Sequence, residues 1–185
     1  MKHLLLLAWL VIIITSLGSG CKKNKLSELD KLPPATQTGA KTFGCLVNGK
    51  AWIPSKEDWF STSALRFYYY NDNGGQFAIN AEYQNQSQNM NEDIVMGCDS
   101  ILSKNTYNLE HNSTNVGRVL FRNTKIFTTC RSMSSMDNDT ETNGVIKITR
   151  LDLANGIVCG TFEFTIKKTG CETIQITHGR FDAKL

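Results

Sequence analysis

The chain has 185 residues, of which 41% are hydrophobic and 20% are charged, and its formal net charge is +3. This length is enough for one domain with its own hydrophobic core. The charge is small and dispersed, which argues against nucleic acid as a partner, because nucleic-acid binding usually needs a concentrated Lys/Arg surface.

The N-terminal segment has the organisation of a bacterial export signal. After a basic start, Leu4–Ile14 is an unbroken apolar run, shorter than the ~20 residues that a membrane-spanning helix needs. Leu17–Cys21 resembles a lipobox, in which the Cys thiol is acylated before cleavage, although Gly18 stands where lipoboxes usually carry a branched apolar residue. We predict that residues 1–20 are a cleaved signal peptide and that Cys21 is the lipid attachment site. Ordinary secretion and an uncleaved anchor are the alternatives.

The predicted acylation makes the lipid bilayer a partner and places the protein in the cell envelope, at the outer membrane, with the periplasmic or exterior side left open. Residues 21–41 carry both charge signs, Pro33-Pro34 and few apolar side chains. This composition favours a flexible linker, and a basic cluster of three lysines directly after Cys21 is typical of a headgroup-facing stretch. We therefore expect a lipidated linker over 21–41 and a folded domain over 42–185.

From Thr42 onward the pattern is typical of short antiparallel strands. Val145–Leu151, Ile157–Lys167 and Thr173–Phe181 alternate apolar and polar residues and predict a three-stranded meander. The whole pattern predicts an all-β domain of about 9–10 strands, either an antiparallel two-sheet sandwich or a closed barrel. Asn-Gly, the usual dipeptide of tight hairpin turns, occurs at Asn48-Gly49, Asn73-Gly74, Asn143-Gly144 and Asn155-Gly156.

Two blocks of the sequence resemble a known family. Leu32–Gly39 (LPPATQTG) runs into Thr42–Trp52 (TFGCLVNGKAW), and Gly160–Phe164 (GTFEF) is followed by Ile176–Asp182 (ITHGRFD). These blocks are similar to the start and the closing strands of a family of small Bacteroidota-type envelope lipoproteins of unknown function. The resemblance implies an envelope lipoprotein and supplies no activity.

The same resemblance implies a modification. Bacteria of this phylum O-glycosylate exported proteins at Asp-Ser/Thr-aliphatic triplets, and Asp99-Ser100-Ile101 is such a triplet. Ser100 is therefore a predicted O-glycosylation site.

Disulfides are expected among the five cysteines that follow Cys21, since the envelope is oxidising and none of them has zinc-site spacing. Five thiols leave at least one unpaired, and Cys159, in the middle of a predicted strand, is the candidate. If the strand ending at Cys130 runs antiparallel to Val145–Leu151, its end lies at the rim that carries Cys171, within reach of a disulfide. We predict the bond Cys130–Cys171, with Cys45–Cys171 as the competing pair.

Catalysis and metal binding are poorly supported. Only His111 and His178 follow the predicted cleavage site, and no Gly-x-Ser-x-Gly nucleophile motif follows it. The acidic run Asp137–Glu141 lacks the glycine and the distal Glu of a calcium-binding EF-hand. We predict a protein that is not an enzyme and that has no metal or cofactor.

Aromatic residues concentrate in the first third of the domain. Tyr68, Tyr69 and Tyr70 are consecutive, so at least one of them must lie on the outer face of its strand, because strand side chains alternate. An outward ring there, together with Trp59, is suited to sugar or protein contacts. Core and cross-strand packing is the alternative.

Three classes of function fit these observations. The first is a non-catalytic binding or structural module, whose partner is a glycan, a small apolar ligand or an envelope protein. The second is a calycin-like barrel that carries a small apolar ligand in a cavity. The third is a hydrolase with an unrecognised site. The residues expected to line the cavity of the second class are Phe67, Phe77, Phe162 and Phe164.

Overall fold

A computed structural model describes residues 26–56, 63–71, 74–101, 103–109, 117–126 and 129–185. Within these ranges the chain forms eleven β-strands joined by turns and short 3₁₀ segments, and no helix is long and apolar enough to cross a membrane. The strands are β1 (Thr42–Val47), β2 (Lys50–Trp52), β3 (Leu65–Tyr70), β4 (Gln76–Asn85), β5 (Met90–Asp99), β6 (Thr106–Asn108), β7 (Gly117–Asn123), β8 (Ser132–Ser134), β9 (Thr140–Asp152), β10 (Ile157–Lys168) and β11 (Ile174–Lys184).

The strands form two antiparallel sheets. One sheet has six strands in the order β2-β1-β11-β10-β9-β6, and the other has five in the order β3-β4-β5-β7-β8. The predicted all-β fold is confirmed as a sandwich. The barrel alternative is wrong, because each sheet keeps two separate edge strands: β2 and β6 in one sheet, β3 and β8 in the other.

The predicted meander is confirmed as β9, β10 and β11, which are neighbours in the six-stranded sheet. Alternation along β10 buries Phe162, Phe164 and Ile166 against the second sheet. Each such side chain contributes roughly 1.5–3 kcal/mol when it leaves water. The aromatic rings of the two layers meet directly, with 5.5 Å between the ring centroids of Phe77 and Phe181.

The segment before β1 differs from the predicted flexible linker, because residues 28–39 lie against the six-stranded sheet. Leu32 is buried, and Pro33 packs so closely on Gly44 that a Cβ at that glycine would lie 2.7 Å from the proline Cδ. Arg180 donates a hydrogen bond from Nη1 to the Pro33 carbonyl over 3.3 Å. The folded unit therefore begins well before Thr42.

A buried carboxylate on β11 explains why so polar a segment binds to the sheet. Asp182 accepts hydrogen bonds from Thr36 Oγ1 at 2.6 Å, the Thr38 amide at 2.9 Å and the Gly39 amide at 2.7 Å. The Cys159 thiol donates a further one over 3.0 Å. Burial by itself raises the pKa of Asp182, but these donors outweigh it and hold the pKa well below its ordinary value. The carboxylate is therefore a charged anchor for residues 36–39.

We expect Asp182→Ala to lower the free energy of unfolding by about 2 kcal/mol or more, since it leaves several part-buried donors without an acceptor. The folded-state pKa lies below that of an unfolded Asp, about 3.9. The stabilisation is therefore complete above that value and declines as the pH falls below it. Urea unfolding at neutral and acid pH measures both effects.

Glu163→Gln is the control for this substitution, because Glu163 is an exposed carboxylate on the neighbouring strand β10. It should change the free energy of unfolding by less than about 0.5 kcal/mol. Asp182→Asn, which keeps the shape and removes the charge, should lose part of the acid dependence. An Asp182→Ala variant as stable as the control would contradict the anchoring role.

Candidate functional site

The outward tyrosines of β3 form an exposed aromatic surface. The side chains of Tyr68 and Tyr70 are 38% and 52% exposed, whereas Tyr69 between them packs against the core. The rings of Tyr68 and Tyr70 are nearly parallel, with an interplanar angle of 4° and 6.4 Å between centroids. Two rings, stacked on each other, therefore project outward from the edge strand, where alternation along the strand predicts at least one.

Small residues lie next to these rings. Tyr68 pairs with Ala78 on β4, Ala78 with Gly97 on β5, and Gly97 with Arg118 on β7. Ala has only a methyl side chain and Gly has none, so between Tyr68 and Arg118 the sheet surface stands lower than the tyrosine rings, and the row is about 14 Å long from the spacing of neighbouring strands. We call Tyr68, Tyr70, Ala78, Gly97 and Arg118 the tyrosine face.

The far side of the tyrosine face carries an ion pair. Arg118 Nη2 lies 2.5 Å from Asp99 Oδ2, and both side chains are partly exposed. Asp99 also pairs in the sheet with Gln76, which pairs with Tyr70. The surface thus combines flat apolar rings with an amide, a carboxylate and a guanidinium. Such a surface can bind a flat ligand that has one apolar face and hydrogen-bonding edges.

Three of the residues singled out from the sequence, Cys21, Trp59 and His111, lie outside the described residues. Ser100, the predicted O-glycosylation site, is exposed directly after β5, whereas the neighbouring Ile101 is fully buried. Glycosylation of Ser100 stays a prediction.

The predicted disulfide is confirmed, although the strand order from which it was argued is wrong. Cys130 and Cys171 are bonded, with 5.5 Å between their Cα atoms, so the competing pair Cys45–Cys171 is wrong. Cys130 precedes β8 in the five-stranded sheet, while β9 pairs with β10 and β6 instead. The bond therefore joins the two layers. The remaining described cysteines, Cys45, Cys98 and Cys159, are free and buried.

Within the described part of the chain, the space between the sheets lacks the cavity of a calycin-like carrier. The two sheets are open, and the rings expected to line a cavity pack against one another. Phe162 stacks on Phe43 at 5.0 Å and on Phe164 at 6.3 Å between centroids, and Phe67 stacks on Phe77 at 6.5 Å. The predicted apolar-ligand barrel is thus corrected, because the phenylalanines fill the space between the sheets.

A cleft at one end of the sandwich contains a carboxylate that no pattern in the sequence singles out. Glu92 accepts hydrogen bonds from the Trp52 indole at 2.9 Å and from the Asn123 amide at 2.7 Å, and the cleft around it has a volume of about 460 Å³. Burial raises the pKa of Glu92, and the Trp52 hydrogen bond only partly offsets this. Both carboxylate oxygens are engaged, so Glu92 mainly fixes Trp52 and Asn123.

A second groove, of about 410 Å³, lies on the outer face of the six-stranded sheet. It brings together Glu163, His178, Arg180 and Lys147 beside the docked N-terminal segment. The groove is open, and Arg180 also binds the Pro33 carbonyl. No cluster of His, Cys, Asp or Glu with the geometry of a metal site occurs in the described part of the chain.

The fold and the tyrosine face define a two-layer antiparallel β-sandwich with an aromatic outer surface on an edge strand. The chain belongs to a family described as a domain of unknown function, DUF6252, which matches residues 60–183. The match includes the closing blocks Gly160–Phe164 and Ile176–Asp182 and excludes residues 32–52. The predicted membership of an uncharacterised family is confirmed at this level. No curated protein and no solved structure matches the chain.

Proposed function

We propose that this protein is an envelope lipoprotein, anchored by acylated Cys21, whose β-sandwich is a non-catalytic module that binds a saccharide on the tyrosine face. The anchoring part is supported by the apolar run Leu4–Ile14, too short to span a bilayer, and by the small residues that precede Cys21. The resemblance to envelope lipoproteins supports the same location.

The observation that carries the saccharide-binding part is the pair of outward, parallel rings of Tyr68 and Tyr70 beside the low surface of Ala78 and Gly97. A pyranose has one face of C–H groups and a rim of hydroxyls. The C–H face fits an aromatic ring, and the hydroxyls fit amide, carboxylate and guanidinium partners. A length of about 14 Å accommodates a short run of sugar units, which makes an extended glycan the ligand class.

Affinity electrophoresis in gels that contain soluble neutral polysaccharides tests this proposal. We expect at least one glucan, mannan or galactan to retard the wild-type protein. Tyr68→Ala/Tyr70→Ala should abolish the retardation and leave the free energy of unfolding within about 0.5 kcal/mol, as exposed substitutions do. Tyr68→Phe/Tyr70→Phe, which keeps the rings, should retain most of it.

Leu153→Ala is the matched surface control, because Leu153 is an exposed apolar residue in the β9–β10 turn, away from the tyrosine face. It should be retarded like the wild type. Migration of the wild type that no polysaccharide alters, or equal retardation of the Tyr→Ala variant, would overturn saccharide binding at this surface. A large loss of stability in the Tyr→Ala variant would instead show that the rings serve packing.

A further inference from the structure

The docked N-terminal segment leaves only a short length of chain between the proposed lipid and the folded domain. The 3₁₀ segment Leu29–Lys31 is fixed beside β2, because the Ala51 amide donates a hydrogen bond to Glu28 Oε2 over 2.9 Å. Four residues separate Cys21 from Leu26. Fully extended, the five residue steps from Cys21 to Leu26 span at most about 18 Å. An acylated Cys21 therefore keeps the corner of the sandwich formed by this 3₁₀ segment and β2 close to the membrane surface.

The same corner has exposed apolar side chains. Leu26 and Leu29 are 64% and 42% exposed, and Ile53, two residues beyond Ala51, is 39% exposed. The Glu28–Ala51 hydrogen bond brings the turn that carries the leucines next to the strand that leads to Ile53. We call Leu26, Leu29 and Ile53 the apolar corner.

The chain at the apolar corner carries more basic than acidic residues. Lys31 and Lys50 are exposed, and three lysines precede Leu26 in the sequence, at positions 22, 23 and 25, against the two acids Glu28 and Asp30. Exposed apolar side chains on a stretch of chain with a net positive charge match the boundary between acyl chains and anionic headgroups, where each nearby basic residue adds attraction. The charge of this stretch and the short tether to Cys21 thus both favour the lipid bilayer as the surface that the apolar corner contacts.

We propose that the apolar corner docks on the lipid bilayer and fixes the orientation of the domain at the membrane. This inference rests on the proposed acylation of Cys21. The tether brings the corner to the bilayer, and the insertion of Leu26, Leu29 and Ile53 then prevents the domain from rotating freely about it. A second copy of the chain, bound corner to corner, is the competing occupant.

The test uses the full-length, lipidated protein in vesicles of phosphatidylethanolamine and phosphatidylglycerol that contain a headgroup-nitroxide lipid. A bimane fluorophore is attached to Leu29→Cys or, as the matched control, to Leu153→Cys. Leu153 is 43% exposed and lies in the β9–β10 turn, at the opposite end of the six-stranded sheet. The native free thiols should stay unlabelled, because burial raises the pKa of Cys45, Cys98 and Cys159.

We expect severalfold stronger nitroxide quenching at position 29 than at position 153, since interfacial side chains enter the headgroup region. Adding Leu26→Ser and Ile53→Ser should reduce the quenching at position 29 and leave vesicle flotation unchanged. Equal quenching at both positions would overturn the docking proposal while the anchor stands. Quenching at position 29 that is weak when the protein is dense in the vesicles and rises on dilution would favour the second copy. A protein that does not float and lacks the lipid mass would instead refute acylation.

Discussion

Removal of the Cys130–Cys171 disulfide should lower the free energy of unfolding by about 4 kcal/mol, by the chain-entropy relation for a ring of this size. The bond joins residues that are 41 positions apart and connects the 3₁₀ segment just before β8 in one sheet with the turn after β10 in the other. Without it, the unfolded chain gains conformational freedom and the two layers lose their covalent link. Urea unfolding of Cys130→Ser/Cys171→Ser against the wild type measures the loss.

Wild-type protein unfolded in the presence of a thiol reductant is the control, because it breaks the same bond without a substitution. Its free energy of unfolding should fall by the same amount. The single variant Cys130→Ser should match the double variant, since either change removes the bond. A double variant as stable as the oxidised wild type, or free thiols at both positions in peptide mapping, would contradict the role of this bond in stability.

Cys21→Ser should move the protein from the membrane fraction into the soluble fraction or leave it with an uncleaved signal. Two or three acyl chains at ~0.8 kcal/mol per buried CH₂ anchor a protein far more strongly than a few lysines do. Replacement of the lysines at positions 22, 23 and 25 by Ser is the matched control and should leave the protein on membranes. Membrane flotation unchanged by Cys21→Ser would show that acylation is not the anchor.

Local strand pattern was a good guide to part of this fold. β9, β10 and β11 alternate apolar and polar residues and follow one another through short turns, so their pairing depends on neighbouring sequence. Of the Asn-Gly pairs, Asn48-Gly49 forms the β1–β2 turn with both φ angles positive. Asn143-Gly144 lies within β9 instead, where a Cβ at Gly144 would meet the β10 backbone at 2.3 Å. The dipeptide alone cannot distinguish a turn from a close strand approach.

The sequence pattern does not predict which sheet each strand joins, nor which segments far apart in the chain pack against each other. Cys130 was expected beside β9 in one sheet, and the correct disulfide arises because the two layers meet at that rim. The composition of residues 21–41 favoured a linker, since no local feature indicates that Asp182, more than 140 positions away, binds Thr36, Thr38 and Gly39. The tyrosine face was partly predictable. The alternation of side chains along β3 predicts that at least one tyrosine ring lies outward. Which small residues lie beside that ring depends on the register between strands, which the sequence pattern does not show.

The mass of the N-terminal peptide of the mature, membrane-extracted protein tests the proposed lipid anchor most directly. Acylation and cleavage should give a peptide that begins at Cys21 and carries a diacylglyceryl group, with or without a further amide-linked acyl chain. Treatment with base should remove the ester-linked chains and shift the mass accordingly. A peptide that begins at Cys21 or elsewhere without added lipid, or one that retains residues 1–20, would contradict the anchor.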